Sequence, residues 1–89
     1  MLNEREYLIA FSSFYKAAYA QDLLAGEGIN ASLRKLPIEI IKSCSTGVYV
    51  KGNSIDKVKE ILKRYSIFHR GIYQINRGDT KRTSYTSVD

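Results

Sequence analysis

Residues 47–75 read GVYVKGNSIDKVKEILKRYSIFHRGIYQI, and they decide the fold because they combine a strand, a helix and a second strand. Residues 47–50 form a short apolar run of β-branched and aromatic side chains, which is typical of a strand. Residues 71–75 predict the second strand. The helix between them is indicated by apolar side chains that recur on one face at helical spacing, namely Ile55, Val58, Ile61, Leu62 and Tyr65.

Residues 7–34 repeat this alternation of strand and helix. Residues 7–11 are a continuous apolar run, which predicts a strand. Either serine at 12–13 can cap a helix that extends to about Ala25, where two nearby glycines supply the stop. Residues 29–34 then alternate between apolar and polar side chains, as half-buried strands do.

The element order is therefore strand, helix, strand, strand, helix, strand. This order predicts an α+β protein with a ferredoxin-like β-α-β-β-α-β sandwich, in which a four-stranded antiparallel sheet carries two helices on one face. We expect the first and third strands at the centre of the sheet and the other two at its edges.

Length and composition predict one domain at residues 1–76 and a flexible polar tail at 77–89, where apolar residues are almost absent. No stretch has the apolar length of a membrane span, and the charged N-terminus does not resemble a signal peptide, so we expect a cytoplasmic protein. The net charge of +5 favours a solvated surface over nucleic-acid binding in a chain of this size.

The chain offers few groups for catalysis. It has one cysteine and one histidine, which exclude an internal disulfide and an all-cysteine zinc site, and we expect neither a metal nor a cofactor. A Ser-His-Asp set and a glycine-rich phosphate loop are both missing from the sequence, so it contains neither of these common catalytic motifs.

The candidate groups gather in the connection between the second and third strands, residues 36–47, which is longer than a hairpin needs. Cys44 lies there between Ser43 and Ser45, with Lys42 two residues away. Small polar neighbours leave a sulfur accessible, and an ammonium group favours the reactive thiolate. Lone cysteines are more often small buried residues, so these residues alone favour a buried cysteine over a reactive one.

Residues 37–44, PIEIIKSC, resemble the Pro-Arg-Glu-Ile-Ser and Cys-Gly pattern of the selenium/sulfur carrier protein-like family, a group of small domains of unknown function. The likeness includes FSS at 11–13, GEGI at 26–29 and GVYV at 47–50, and it covers about residues 7–75.

The sequence departs from this family pattern at two positions. Ile38 stands where arginine is common, which removes a cation that could steady an anionic sulfur, and Ser45 stands where glycine usually follows the cysteine.

The resemblance implies that Cys44 carries sulfur or selenium as a persulfide or its selenium counterpart, with Ser43, Glu39 and Lys42 supporting the loop. It also implies protein partners, namely a cysteine desulfurase-type donor and an acceptor protein, and it favours a carrier over an enzyme with its own substrate pocket. The alternative is a non-catalytic, ferredoxin-like binding or regulatory module. RNA binding ranks last because residues 48–50 of the third strand contain a single aromatic side chain.

Overall fold

The computed structural model describes residues 5–37, 46–52, 55–77 and 83–88. These residues form five strands and two helices, in the order β1 (Glu6–Ala10), α1 (Phe14–Gly26), β2 (Ala31–Lys35), β3 (Thr46–Lys51), α2 (Ile55–Arg64), β4 (Gly71–Arg77) and β5 (Thr83–Ser87). The α+β class and the order of the first six elements are confirmed, and the arrangement is compatible with a ferredoxin-like fold.

The strands form one antiparallel sheet in the order β2-β3-β1-β4-β5. As predicted, β1 and β3 are central neighbours, and Leu8 of β1 pairs with Tyr49 on one side and with Tyr73 on the other. The expected count of four strands is wrong, because β4 is not an edge: its Ile75 pairs with Tyr85 of β5.

The fifth strand lies inside the segment for which a flexible tail was predicted, so that prediction is wrong for Thr83–Ser87. Backbone hydrogen bonds to β4 hold this polar strand, and an edge strand needs such bonds on one side only. Val88 extends the attachment, since its N–H donates to the Ile72 carbonyl at 2.9 Å and its carbonyl accepts from Lys59 Nζ at 2.8 Å. Hydrophobic patterning does not reveal a strand that is held in this way.

Both helices pack on the same face of the sheet. Alternate strand residues form a single core cluster with the buried residues of α1 and α2, and that cluster contains Tyr7, Ile9, Val48, Val50, Ile72, Ala17, Ala20, Leu24, Val58, Ile61 and Leu62. The apolar stripe predicted for α2 is buried at its three central positions, and Ile55 at the start of the helix is partly buried. The prediction is wrong for Tyr65, which follows the last residue of α2 and is exposed. No helix in the part of the chain that the structure describes is long and apolar enough to span a membrane.

Candidate functional site

The predicted site residues Glu39, Lys42, Ser43 and Cys44 lie outside the described residues, as do the two departures from the family pattern. The structure does describe both ends of the connection that contains them. The last paired residues before the connection are Lys35, where β2 ends, and Thr46, where β3 begins.

Two further segments lie at this end of the sheet, namely the junction of β1 with α1 and the start of β4. The Phe11 N–H donates to the Thr46 carbonyl at 3.2 Å, immediately before α1 begins. Ala10 pairs with Gly47 on one side and with Gly71 on the other, and its carbonyl accepts from the Arg70 N–H at 2.6 Å. We use the term loop end for this end of the sheet, which carries the connection between β2 and β3, the start of α1 and the start of β4.

The start of α1 gives the loop end a positive character. Ser13 caps the helix, because its Oγ accepts a hydrogen bond from the Lys16 backbone N–H at 3.2 Å. The first turn of α1 contains no acidic residue, and Lys16 Nζ lies 3.5 Å from Ser12 Oγ. The positive end of the helix dipole and the lysine ammonium therefore both favour an anion close to this turn.

Leu36 holds the beginning of the connection against the sheet. It is 6% exposed, and a Cβ atom added to Gly47 would clash with its Cδ2 atom and lie 3.0 Å from the Ile9 carbonyl oxygen. Leu36 thus packs over the β3 backbone at a point where a side chain on residue 47 would force the leucine to shift. The sequence predicts a connection that starts at residue 36, but the contact between Leu36 and Gly47 was not predicted. The available signal was a leucine just beyond the polar end of a strand.

A cleft crosses the sheet face that lies opposite the helices, which we call the open face. The cleft has a volume of about 210 Å³ and is lined by Leu8, Arg34, Lys35, Pro37, Tyr49, Ile75 and Tyr85. The Arg34 guanidinium carbon lies 4.3 Å from the centroid of the Tyr49 ring, and the Tyr49 hydroxyl donates to Glu6 Oε1 at 2.6 Å. Sequence reasoning did not predict this cleft, since its lining comes from all five strands and from residue 37.

A second concave surface of about 420 Å³ follows the end of α2, lined by Lys59, Leu62, Lys63, Ser66, Ile67, Phe68 and His69. We call it the α2 groove. Phe68 is 82% exposed, and large exposed apolar side chains often mark protein–protein contacts. Tyr15 near the start of α1 is 83% exposed.

His69, the single histidine of the sequence, is partly exposed and lines the α2 groove. Within the described ranges, no three His, Cys, Asp or Glu side chains are grouped as metal ligands would be.

Comparison with known proteins identifies one family. The family model described as "Putative Se/S carrier protein-like" matches residues 6–74, which is well over half of the chain and extends from β1 into β4. No curated protein and no solved structure matches the chain. The matched region includes the whole connection between β2 and β3, whereas β5 lies beyond it. The chain belongs to the Se/S carrier protein-like family.

Proposed function

We propose that this protein is a sulfur or selenium carrier that holds the chalcogen on Cys44, as a persulfide or its selenium counterpart. The observation that carries the proposal is the family match over residues 6–74, which includes Cys44. The chain contains one cysteine, so a cysteine-bound chalcogen has a single possible site.

The positive character of the loop end supports an anion on the connection between β2 and β3, which ends at Thr46. Thr46 is hydrogen-bonded to Phe11, two residues before the Ser13 cap of α1. A thiolate or a persulfide anion near a helix N-terminus is stabilised by the positive end of the helix dipole.

The proposed transfer is a thiol exchange without a net oxidant. The Cys44 thiolate attacks the terminal sulfur of a persulfide on the donor, the S–S bond of the donor breaks, and the donor leaves as a thiolate. An acceptor thiolate then removes the sulfur from Cys44 in the same way. Lys42 would favour the anion, Glu39 would accept the thiol proton, and Ser43 would keep the approach to the sulfur open.

Exposed aromatic side chains support protein partners for this exchange, because aromatic residues carry much of the binding energy at protein interfaces. Phe68 in the α2 groove and Tyr15 on α1 are the two most exposed large apolar side chains among the described residues. We propose that a cysteine desulfurase-type donor and an acceptor protein dock there, in the cytoplasm, where thiols stay reduced. The same observation favours the second candidate function, a non-catalytic protein-binding or regulatory module.

Intact-mass measurement after incubation with a cysteine desulfurase and L-cysteine tests the proposal. We expect a gain of one sulfur atom that dithiothreitol removes, and no gain in Cys44→Ser. A wild-type protein that is labelled by a thiol reagent in its native state, yet gains no sulfur from a desulfurase or selenium from a selenide donor, contradicts the carrier function. The binding module is then the better explanation.

A further inference from the structure

The cleft on the open face combines a cation with an apolar floor. Arg34 near the end of β2 is exposed and lines the cleft, whereas Lys35 shares the helix-facing side of β2 with Leu33. The Arg34 guanidinium lies over the Tyr49 ring at 4.3 Å. A guanidinium that stacks through its flat face keeps its N–H groups at the edge of the plane, where they can bind a carboxylate in a bidentate manner.

The floor of the cleft is apolar. Leu8 at the centre of the sheet is 5% exposed, and Ile75, Tyr85 and Pro37 complete the lining. Tyr85 belongs to β5, so the strand that the family match does not include contributes one wall. A ligand that fits this surface has an anionic group at one end and an uncharged body at the other.

The size of the cleft restricts the ligand to a small molecule. Its volume of about 210 Å³ is below the roughly 300–1,000 Å³ that is common for pockets binding drug-sized ligands. A nucleic acid is a poor fit as well, because Arg34 already occupies the face of the Tyr49 ring on which a base would stack.

The cleft adjoins the connection that contains Cys44. Pro37, which lines it, is the residue before the segment 38–45, and Leu36 holds the backbone at that point over Gly47. We propose that the cleft binds a small organic acid that bears a thiol or a perthiol, with its carboxylate on Arg34 and its uncharged body on Leu8 and Ile75.

The exchange with Cys44 rests on the proposed carrier function, whereas binding of the acid in the cleft does not depend on that function. In the exchange, the Cys44 thiolate attacks the terminal sulfur of the small perthiol, the S–S bond of the perthiol breaks, and the small thiolate leaves. One persulfide is consumed and one is formed, so no oxidant or reductant is required.

Binding is measured with Cys44→Ser, in which no exchange can occur, by recording amide NMR shifts during titration with N-acetyl-L-cysteine. We expect saturable shifts at Arg34, Tyr49, Ile75 and Tyr85, and none with cysteamine, which has a thiol but no carboxylate. Adding Arg34→Gln should weaken binding about tenfold, because it removes charge-assisted hydrogen bonds.

Lys57→Gln is the matched control, since it removes one positive charge from an exposed position on α2, outside the cleft. We expect it to leave binding unchanged. A conservative variant, Arg34→Lys, should retain part of the affinity. Absence of saturable shifts at the cleft, equal binding of cysteamine, or equal weakening by Lys57→Gln would overturn the assignment.

The exchange is tested separately on protein that retains Cys44. With N-acetyl-L-cysteine persulfide as the source, Arg34→Gln should slow sulfur loading about tenfold at subsaturating concentration, relative to Lys57→Gln. If Cys44 gains sulfur from a desulfurase while the cleft binds nothing, this inference is wrong and the carrier function stands. If the cleft binds the acid but Cys44 never gains sulfur, the carrier function and the exchange step are wrong and the binding site remains.

Discussion

Replacement of Gly47 by alanine tests the packing that holds the start of the Cys44 connection. The new Cβ atom would overlap Leu36 Cδ2 and lie 3.0 Å from the Ile9 carbonyl oxygen. Overpacking of this kind typically lowers the free energy of unfolding by about 1–3 kcal/mol. For a domain of this size, each kcal/mol corresponds to a decrease in Tm of roughly 4–8 °C.

A double-mutant cycle with Leu36→Ala shows how much of this loss comes from the contact with Leu36. The free energies of unfolding are measured by urea unfolding and circular dichroism. Leu36→Ala alone should cost about 2–5 kcal/mol, near the lower end because the residue lies beyond the end of β2. In that background Gly47→Ala should cost clearly less, since the leucine methyl group is gone and only the close Ile9 carbonyl remains. We expect a coupling energy of about 1–2 kcal/mol between the two positions.

Equal losses from Gly47→Ala in both backgrounds would contradict this packing, because the alanine methyl group would then not meet Leu36. The cycle also bears on function. If Leu36 positions the connection, then Leu36→Ala should slow sulfur loading of Cys44 under conditions where the variant remains folded.

Three further predictions concern the core, the C-terminal strand and the α2 groove. Ile61 is fully buried, so Ile61→Ala should lower the free energy of unfolding by about 2–5 kcal/mol in urea titration, and a loss below half a kcal/mol would contradict the packing of α2. Deletion of residues 78–89 removes β5 and Val88 and should lower Tm by several degrees in calorimetry; an unchanged Tm would mean that β5 adds no stability. Phe68→Ala should change stability by less than about 0.5 kcal/mol because the side chain is exposed, yet reduce the rate of sulfur transfer from a desulfurase. Asn30→Ala, at an exposed residue between α1 and β2 and outside the α2 groove, is its control, and equal effects on transfer would argue against docking in the groove.

Local patterns were sufficient for most of the fold. The helical spacing of Val58, Ile61 and Leu62 and the apolar runs of β1 and β3 depend on which side chains face the core, and that periodicity is present in the sequence itself. The family was also predictable, because the segment at residues 37–44 combines a proline, an acid and a cysteine at specific spacing. The roles of Cys44, Ser43, Glu39 and Lys42 stay predictions, since these residues lie outside the described part of the chain.

The α+β class, the order of the first six elements and the family were thus all predictable from the residues alone. Only the tertiary structure decided that the polar segment Thr83–Ser87 is a strand, because backbone hydrogen bonds to β4 hold it and such bonds leave no hydrophobic period. The cleft on the open face also required the fold. Its Arg34, Tyr49 and Tyr85 come from three different strands, and cross-strand pairing alone brings residues so distant in the chain onto one surface.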